Sequence, residues 1–163
     1  QHLKRSDVVI ITKMNIKTPS NFIINKLKSL NINHYNSKYE PSNNLLDING
    51  GEINLTKMKN KRALAISGIG DPLSFELTLK MQNIDFIDHI TFNDHHEYKD
   101  DDFYFIEKKI LNHKPDFLIT TEKDLIKLKY ANKNIINKLF ALPMQFSISK
   151  LCLDIILQKL DLN

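Results

Sequence analysis

"KRALAISGIGDPLSFELTLKMQNIDFIDHITF", residues 61–92, decides the fold. It opens as a strand with a basic start, Arg62 to Ser67, and a glycine-rich exit at Gly68-Ile69-Gly70. Asp71 is placed to cap a helix, and Pro72 falls at that helix's first position. "LSFELTLKMQ" continues the helix, and "IDFIDHITF" returns as a second strand that delivers the chain into Asp94-His95-His96.

The same alternation runs outward in both directions. Upstream, "SDVVIITK" (Ser6 to Lys13) is apolar and β-branched and reads as a buried parallel strand. "SNFIINKLKSL" has helical spacing at Phe22, Ile23, Leu27 and Leu30, and "INHYNSKYEP" reads as extended. Asn49-Gly50-Gly51 lies between two alternating apolar runs, a hairpin signal. Downstream, "DDDFYFIEKKILNHK" is a helix whose acidic start suits the macrodipole. "PDFLITTEKDLIKLK" reads as strand, turn and helix, with Thr121 as cap and Asp124 three residues on, as in a capping box. "NIINKLFALPMQF" is a short helix or turn leading to an extended piece, and "SISKLCLDIILQKL" is a terminal amphipathic helix. Strands alternating with helices predict an α/β fold with a mainly parallel sheet. Ligands gather beyond the carboxyl ends of such strands. Adjacent strand order would bring three polar exit turns, at 67–71, 93–96 and 120–124, to one rim.

The 163 residues suit one domain or one and a piece, and 42% hydrophobic content can supply a core. The net charge of +4 is spread along the chain and opposed by carboxylates between Asp94 and Asp102, unlike a nucleic-acid footprint. A single cysteine, Cys152, excludes an intrachain disulfide and sits in an apolar helical pattern as a small core residue. No stretch reaches the roughly 20 apolar residues of a membrane helix. The chain begins at Gln1, which fits a processed product, an excerpt or a fragment.

Each exit turn allows more than one reading. Gly68 and Gly70 could offer backbone N–H groups to an anion, or form a tight turn that packs helix on strand. No G-x-x-x-x-G-K-[ST] loop occurs in the sequence. Lys123 could neutralise a phosphate, or belong to the solvated first turn of a capped helix. Asp94-His95-His96 is open to metal binding with Asp88 or His89, to acid–base chemistry, or to no role at all. A metal-dependent phosphoesterase would need an upstream aspartate cluster that the first ninety residues lack.

In order, the chain contains "RSDVVIITK", "ALAISGIGDPLSF", "FNDHHEY", "TTEKDLIKL" and "FALPMQFSI". This series, from Arg5 to Phe146, resembles the C-terminal half of the tetraacyldisaccharide 4′-kinase (lipid A 4′-kinase) family. The resemblance implies a three-layer α/β/α sandwich with a β-hairpin or two-stranded linker. It implies that residues 1–34 are the end of a P-loop kinase core, and that residues 35–163 are linker strands, a smaller α/β domain and a terminal helix. It further implies ATP and Mg²⁺, held mainly by an N-terminal kinase domain, and a lipid A disaccharide precursor as substrate. The enzyme would touch the cytoplasmic face of the bacterial inner membrane peripherally and bind no nucleic acid. By the same resemblance His95 assists deprotonation of the sugar hydroxyl and Asp94 orients it. His96 could be a bystander, and Thr121 and Lys123 are candidates for lining the interdomain cleft. Lacking a P-loop, this chain alone is expected to be inactive. A non-catalytic α/β binding module or a gene remnant is the alternative.

Overall fold

The computed structural model describes residues 2–12 and 18–161. Nine strands lie among them: β1 (Val9–Ile11), β2 (His34–Pro41), β3 (Asn44–Asp47), β4 (Glu52–Asn54), β5 (Arg62–Ser67), β6 (Asp85–Thr91), β7 (Phe117–Thr120), β8 (Leu139–Ala141) and β9 (Met144–Ile148). The α-helices are α1 (Asn21–Ser29), α2 (Pro72–Met81), α3 (Asp100–His113), α4 (Glu122–Leu128), α5 (Lys133–Ile136) and α6 (Lys150–Asp161). None of the described helices is long and apolar enough to cross a membrane.

The chain divides into two compact units, Gln1–Glu40 with Met144–Asn163, and Pro41–Pro143. The first holds a three-stranded sheet in the order β1-β2-β9, with β1 parallel to β2. The β1 ladder runs only over Val9–Ile11, shorter than the sequence pattern suggests, and Lys13 lies outside the described residues. Leu27 of α1 and Cys152 of α6 are buried, as their apolar spacing requires. Lys159 of α6 reaches Asp7 at 3.1 Å.

The second unit carries the site. Its sheet has six strands in the order β4-β3-β8-β7-β5-β6. β5 is parallel to both neighbours, with Ala65 opposite His89 of β6 and Ile119 of β7. The antiparallel part is the β3–β4 hairpin and its pairing with β8. Four residues, Ile48 to Gly51, join the two strands: Asp47 N donates to Gly51 O at 2.9 Å, and Gly50 takes φ 82°. That left-handed position is where such loops call for glycine.

Two clusters of apolar side chains cover the two faces of this sheet. Leu64, Ile66, Ile90 and Leu118 pack with Ile106 of α3, Leu125 and Leu128 of α4 and Ile135 of α5. Ala63, Ala65, Phe117 and Ile119 pack with Phe75 and Leu79 of α2. Period-two alternation along β5 thus fills both cores. The mainly parallel sheet is what the alternation of strands and helices predicts, and the three-layer α/β/α arrangement is what the resemblance implies. Leu64, Ile66, Leu118 and Ile119 have no exposed surface, and each such side chain contributes about 1.5–3 kcal/mol by leaving water. Helix α2 starts where expected, with Asp71 Oδ1 accepting from Ser74 N at 3.1 Å.

Polar ties link β6 to the helices on both faces of the sheet. On the α2 face, His89 Nδ1 lies 2.9 Å from Glu76 Oε1, and its Nε2 lies 2.8 Å from Ser67 Oγ. A carboxylate only accepts, so Nδ1 donates to Glu76; in the neutral imidazole Nε2 then accepts from the serine. The His89 side chain is 4% exposed. On the opposite face Asp88 pairs with Lys109 at 2.7 Å and with His113 at 3.5 Å. The Lys109 hydrogen bond, aided by the His89 amide and the two nearby cations, outweighs burial and holds the Asp88 carboxyl below its ordinary pKa.

His89→Ala leaves the Ser67 hydroxyl and the Glu76 carboxylate without their partner. The expected loss is about 1–3 kcal/mol, read from urea unfolding. A loss below about 0.5 kcal/mol, the range of ordinary surface substitutions, would remove this relay from the account of the fold.

Asp88 gives a pH dependence of definite sign. Its folded-state pKa is depressed, so its contribution is present above the ordinary carboxyl value. That contribution is lost as the pH falls through the lowered one. Thermal unfolding followed from about pH 6 to 2 should show a shallower acid limb for Asp88→Asn than for wild type. Parallel curves would show that the ion pair does not contribute.

Candidate functional site

Three strand exits meet on one rim because β7, β5 and β6 are adjacent and parallel. Beyond β6, Phe92 N donates to Ser67 O at 2.8 Å and extends the ladder by one residue. The chain then turns through Asn93, Asp94 and His95, closed by His96 N donating to Asn93 O at 3.1 Å. His95 takes φ 59°, a left-handed conformation that histidine adopts more readily than most residues.

That turn sends the two histidines into different surroundings. The His95 side chain is 82% exposed and projects from the rim. Asp94 Oδ1 accepts the His95 amide at 3.0 Å, while Oδ2 lies 3.8 Å from His95 Nε2. That distance is too long for a hydrogen bond, so Asp94 shapes the backbone under His95 and places a negative charge near its ring. A methyl group on Gly70 would lie 3.2 Å from Asp94 Oδ2, which sets the turn after β5 against the turn after β6.

His96, whose role the sequence leaves open, is an anchor of the turn. Its ring stacks on Phe92 at 4.7 Å between centroids and meets Tyr98 edge-on at 5.2 Å. Its Nε2 donates to Asp102 Oδ2 at 2.9 Å, and its carbonyl accepts Lys127 Nζ at 2.9 Å. Asp102 also accepts the Lys99 amide at 2.9 Å, so one carboxylate caps α3 and fixes the ring. Burial opposes ionisation of Asp102, but the His96 and Lys99 hydrogen bonds and their charges prevail and lower its pKa.

At the β7 exit, Thr121 Oγ1 accepts Asp124 N at 3.2 Å, the cap that the sequence predicts. The reciprocal half of the capping box takes another form. Asp124 Oδ2 accepts the Thr121 hydroxyl at 2.7 Å and the Gly68 amide at 3.0 Å. The carboxylate therefore crosses to the neighbouring strand exit, which adjacency of β5 and β7 makes possible. Lys123 is exposed on the first turn of α4.

These contacts decide what the glycine turn can hold. The Gly68 amide, the candidate anion donor, is already bonded to Asp124, and Asp94 lies against Gly70. Two carboxylates repel a polyphosphate, so the turn does not fit the phosphates of a nucleotide. Its glycines serve close packing: a methyl group on Gly68 would lie 3.1 Å from Asp124 Oδ1 and 3.3 Å from both His96 Cβ and the Tyr98 hydroxyl. The residues weighed for a metal do not converge either. Asp88 faces α3 and His89 faces α2, on opposite sides of the sheet. Among the described residues no three His, Cys, Asp or Glu side chains form a metal-sized cluster.

Sequence reasoning missed Ser67, Glu76, Tyr98 and Lys127. Ser67-His89-Glu76 has the hydrogen-bond order of a nucleophilic triad, but Ser67 is fully buried and no substrate could reach its oxygen. Only register reveals the group, since Ser67 and His89 meet through the β5–β6 pairing. A cavity of about 580 Å³ between α3 and α5, lined by Tyr104, Leu111, Lys133 and Lys138 among others, contains none of the rim residues.

Comparison with known proteins agrees with this architecture. Curated tetraacyldisaccharide 4′-kinases are similar to the chain. The Halothermothrix orenii protein is 34% identical over 100 residues, covering 58% of this chain and 26% of that protein. The Rickettsia typhi protein is 34% identical over 114 residues, covering 70% and 30% respectively. The chain thus spans between about a quarter and a third of the length of these relatives. A crystal structure of "apo" form LpxK from Aquifex aeolicus in complex with ATP shares the fold, with a TM-score of 0.60 and 24% identity over 91% of this chain and 40% of that one. The family model described as tetraacyldisaccharide-1-P 4′-kinase matches residues 1–161, and the chain belongs to that family.

Proposed function

We propose that the chain is the C-terminal part of an ATP-dependent kinase that phosphorylates the 4′-hydroxyl of tetraacyldisaccharide 1-phosphate in lipid A biosynthesis. Within it, His95 assists removal of the hydroxyl proton. The observation that carries this reading is the placement of His95. It projects from the rim where three parallel strands end, on a turn whose backbone is fixed on both sides. A neutral imidazole accepts a proton from an alcohol held within hydrogen-bond reach. The imidazolium that results gains from the Asp94 carboxylate 3.8 Å away.

The rest of the proposal follows family membership. Residues 1–34 are the end of the kinase core, and residues 35–163 are the linker and smaller domain. Nucleotide and Mg²⁺ belong mainly to an N-terminal domain that these residues do not contain, in keeping with the carboxylates that occupy the Gly68–Gly70 turn. The lipid precursor places the enzyme peripherally at the cytoplasmic face of the bacterial inner membrane. Thr121 is committed to capping α4, so Lys123, exposed beside it, is the better placed of the two to meet a substrate phosphate.

Two experiments test this reading. Incubated alone with ATP, Mg²⁺ and the lipid disaccharide, the chain should form no phosphorylated product above a blank; clear turnover would refute the domain assignment. In the intact enzyme, His95→Ala should lower kcat by about 10²–10⁴-fold without unfolding the protein. His96→Ala should lower thermal stability, with a smaller loss of kcat. An equal or larger kcat loss at His96 would mean that the base has been assigned to the wrong histidine.

A further inference from the structure

Asp124 is the one carboxylate among the described residues that is both fully buried and without a cationic partner in contact. Burying a carboxylate is costly unless its oxygens are engaged. Oδ2 is engaged twice, by the Gly68 amide and the Thr121 hydroxyl. Oδ1 and the Tyr98 hydroxyl each lack a hydrogen-bond partner among the described residues. Both lie against Gly68, at 3.1 and 3.3 Å from the position a Cβ would occupy there. One side chain therefore touches the exits of β5 and β7 and faces the residue two positions after His96.

We infer that Asp124 is a positioning residue of the candidate site: Oδ2 locks the β5 exit turn at Gly68, and Oδ1 is the acceptor available to the Tyr98 hydroxyl packed against the same glycine, so that the segment carrying His95 is held in register with its neighbours. The inference rests on the proposed role of His95 only for its catalytic consequence. Burial, and then the charge of Asp124, push the Tyr98 phenol above its ordinary pKa, so it keeps the proton it would donate. The absent Cβ of Gly68 is part of the same device. A side chain there would have to enter the space between the two oxygens and His96 Cβ. An unsatisfied carboxylate oxygen beside a protonated phenol is a high-stakes pair, because each is costly to bury without the other.

The test uses the intact enzyme carrying this chain, with Asp124→Asn, Tyr98→Phe, His95→Ala and the combinations with His95→Ala. Hydrogen exchange is followed in peptides covering residues 66–71 and 92–98. Steady-state kinetics give kcat and KM. In Asp124→Asn, exchange should quicken in both peptides while the β5 core keeps its protection. Its kcat should fall by roughly 10- to 100-fold, as expected for a misplaced catalytic group, with KM nearly unchanged. In the His95→Ala background the same substitution should cost little further activity. Unchanged exchange in both peptides would overturn the inference, whatever His95→Ala does. An equal kcat loss with and without His95 would overturn the link to that residue. If Asp124→Asn does not fold, Tyr98→Phe, which keeps both Oδ2 contacts, decides: faster exchange confined to 92–98 supports the inference, and wild-type exchange refutes it. If His95→Ala keeps wild-type kcat while Asp124→Asn still loosens both turns, the role given to His95 fails and the positioning role of Asp124 stands.

Discussion

Strand β5 is paired on both edges and buried on both faces, and the rest of the Pro41–Pro143 unit depends on it. Parallel pairing to β6 and β7 makes three chains leave the sheet in the same direction, side by side. Complete burial of Ala63 to Ile66 fixes which residue of β5 faces α2 and which faces the α3–α5 layer. A slip of one residue would exchange Leu64 and Ile66 with the small Ala63 and Ala65 in every contact, so the register has little freedom.

The rim inherits that rigidity and adds a constraint of its own. Where the exits converge, Gly68 has a carboxylate oxygen, a histidine Cβ and a phenol oxygen around its missing side chain. Backbone and side chains there are packed too closely for a larger residue to enter without displacing a neighbour. The polar atoms of the turns are largely spent on one another: Gly68 on Asp124, His96 on Asp102 and Lys127, Thr121 on Asp124. His95 differs from all of these in projecting into solvent.

Adjacent histidines with opposed surroundings show how one backbone angle separates an anchored ring from an exposed one. His95 in the left-handed region reverses the chain, so its ring leaves the rim while the next ring turns inward onto Phe92. His96 then takes the contacts that fix the turn. A pair that looks interchangeable in the sequence therefore occupies two environments, one packed and one open.

Much of this was legible before any coordinates. Apolar alternation, the Asp71 and Thr121 caps, Pro72 at a helix start and the Asn49-Gly50 loop are local signals, and local signals survive because their partners lie within a few residues. The order of the turns also carried the family resemblance. The capping reading of Asp124 was correct for its amide and incomplete for its carboxylate. That carboxylate binds an amide 56 residues away, and only the adjacency of β5 and β7 brings the two together. His89 with Ser67, and Asp88 with Lys109, are likewise products of register and of helix placement on opposite faces. The sequence by itself determined which segments are strands and helices and that their polar exits could share a rim. Tertiary structure decided which exit groups are spent on packing and which remain open, because hydrogen-bond partners and solvent exposure depend on strand order, not on sequence distance.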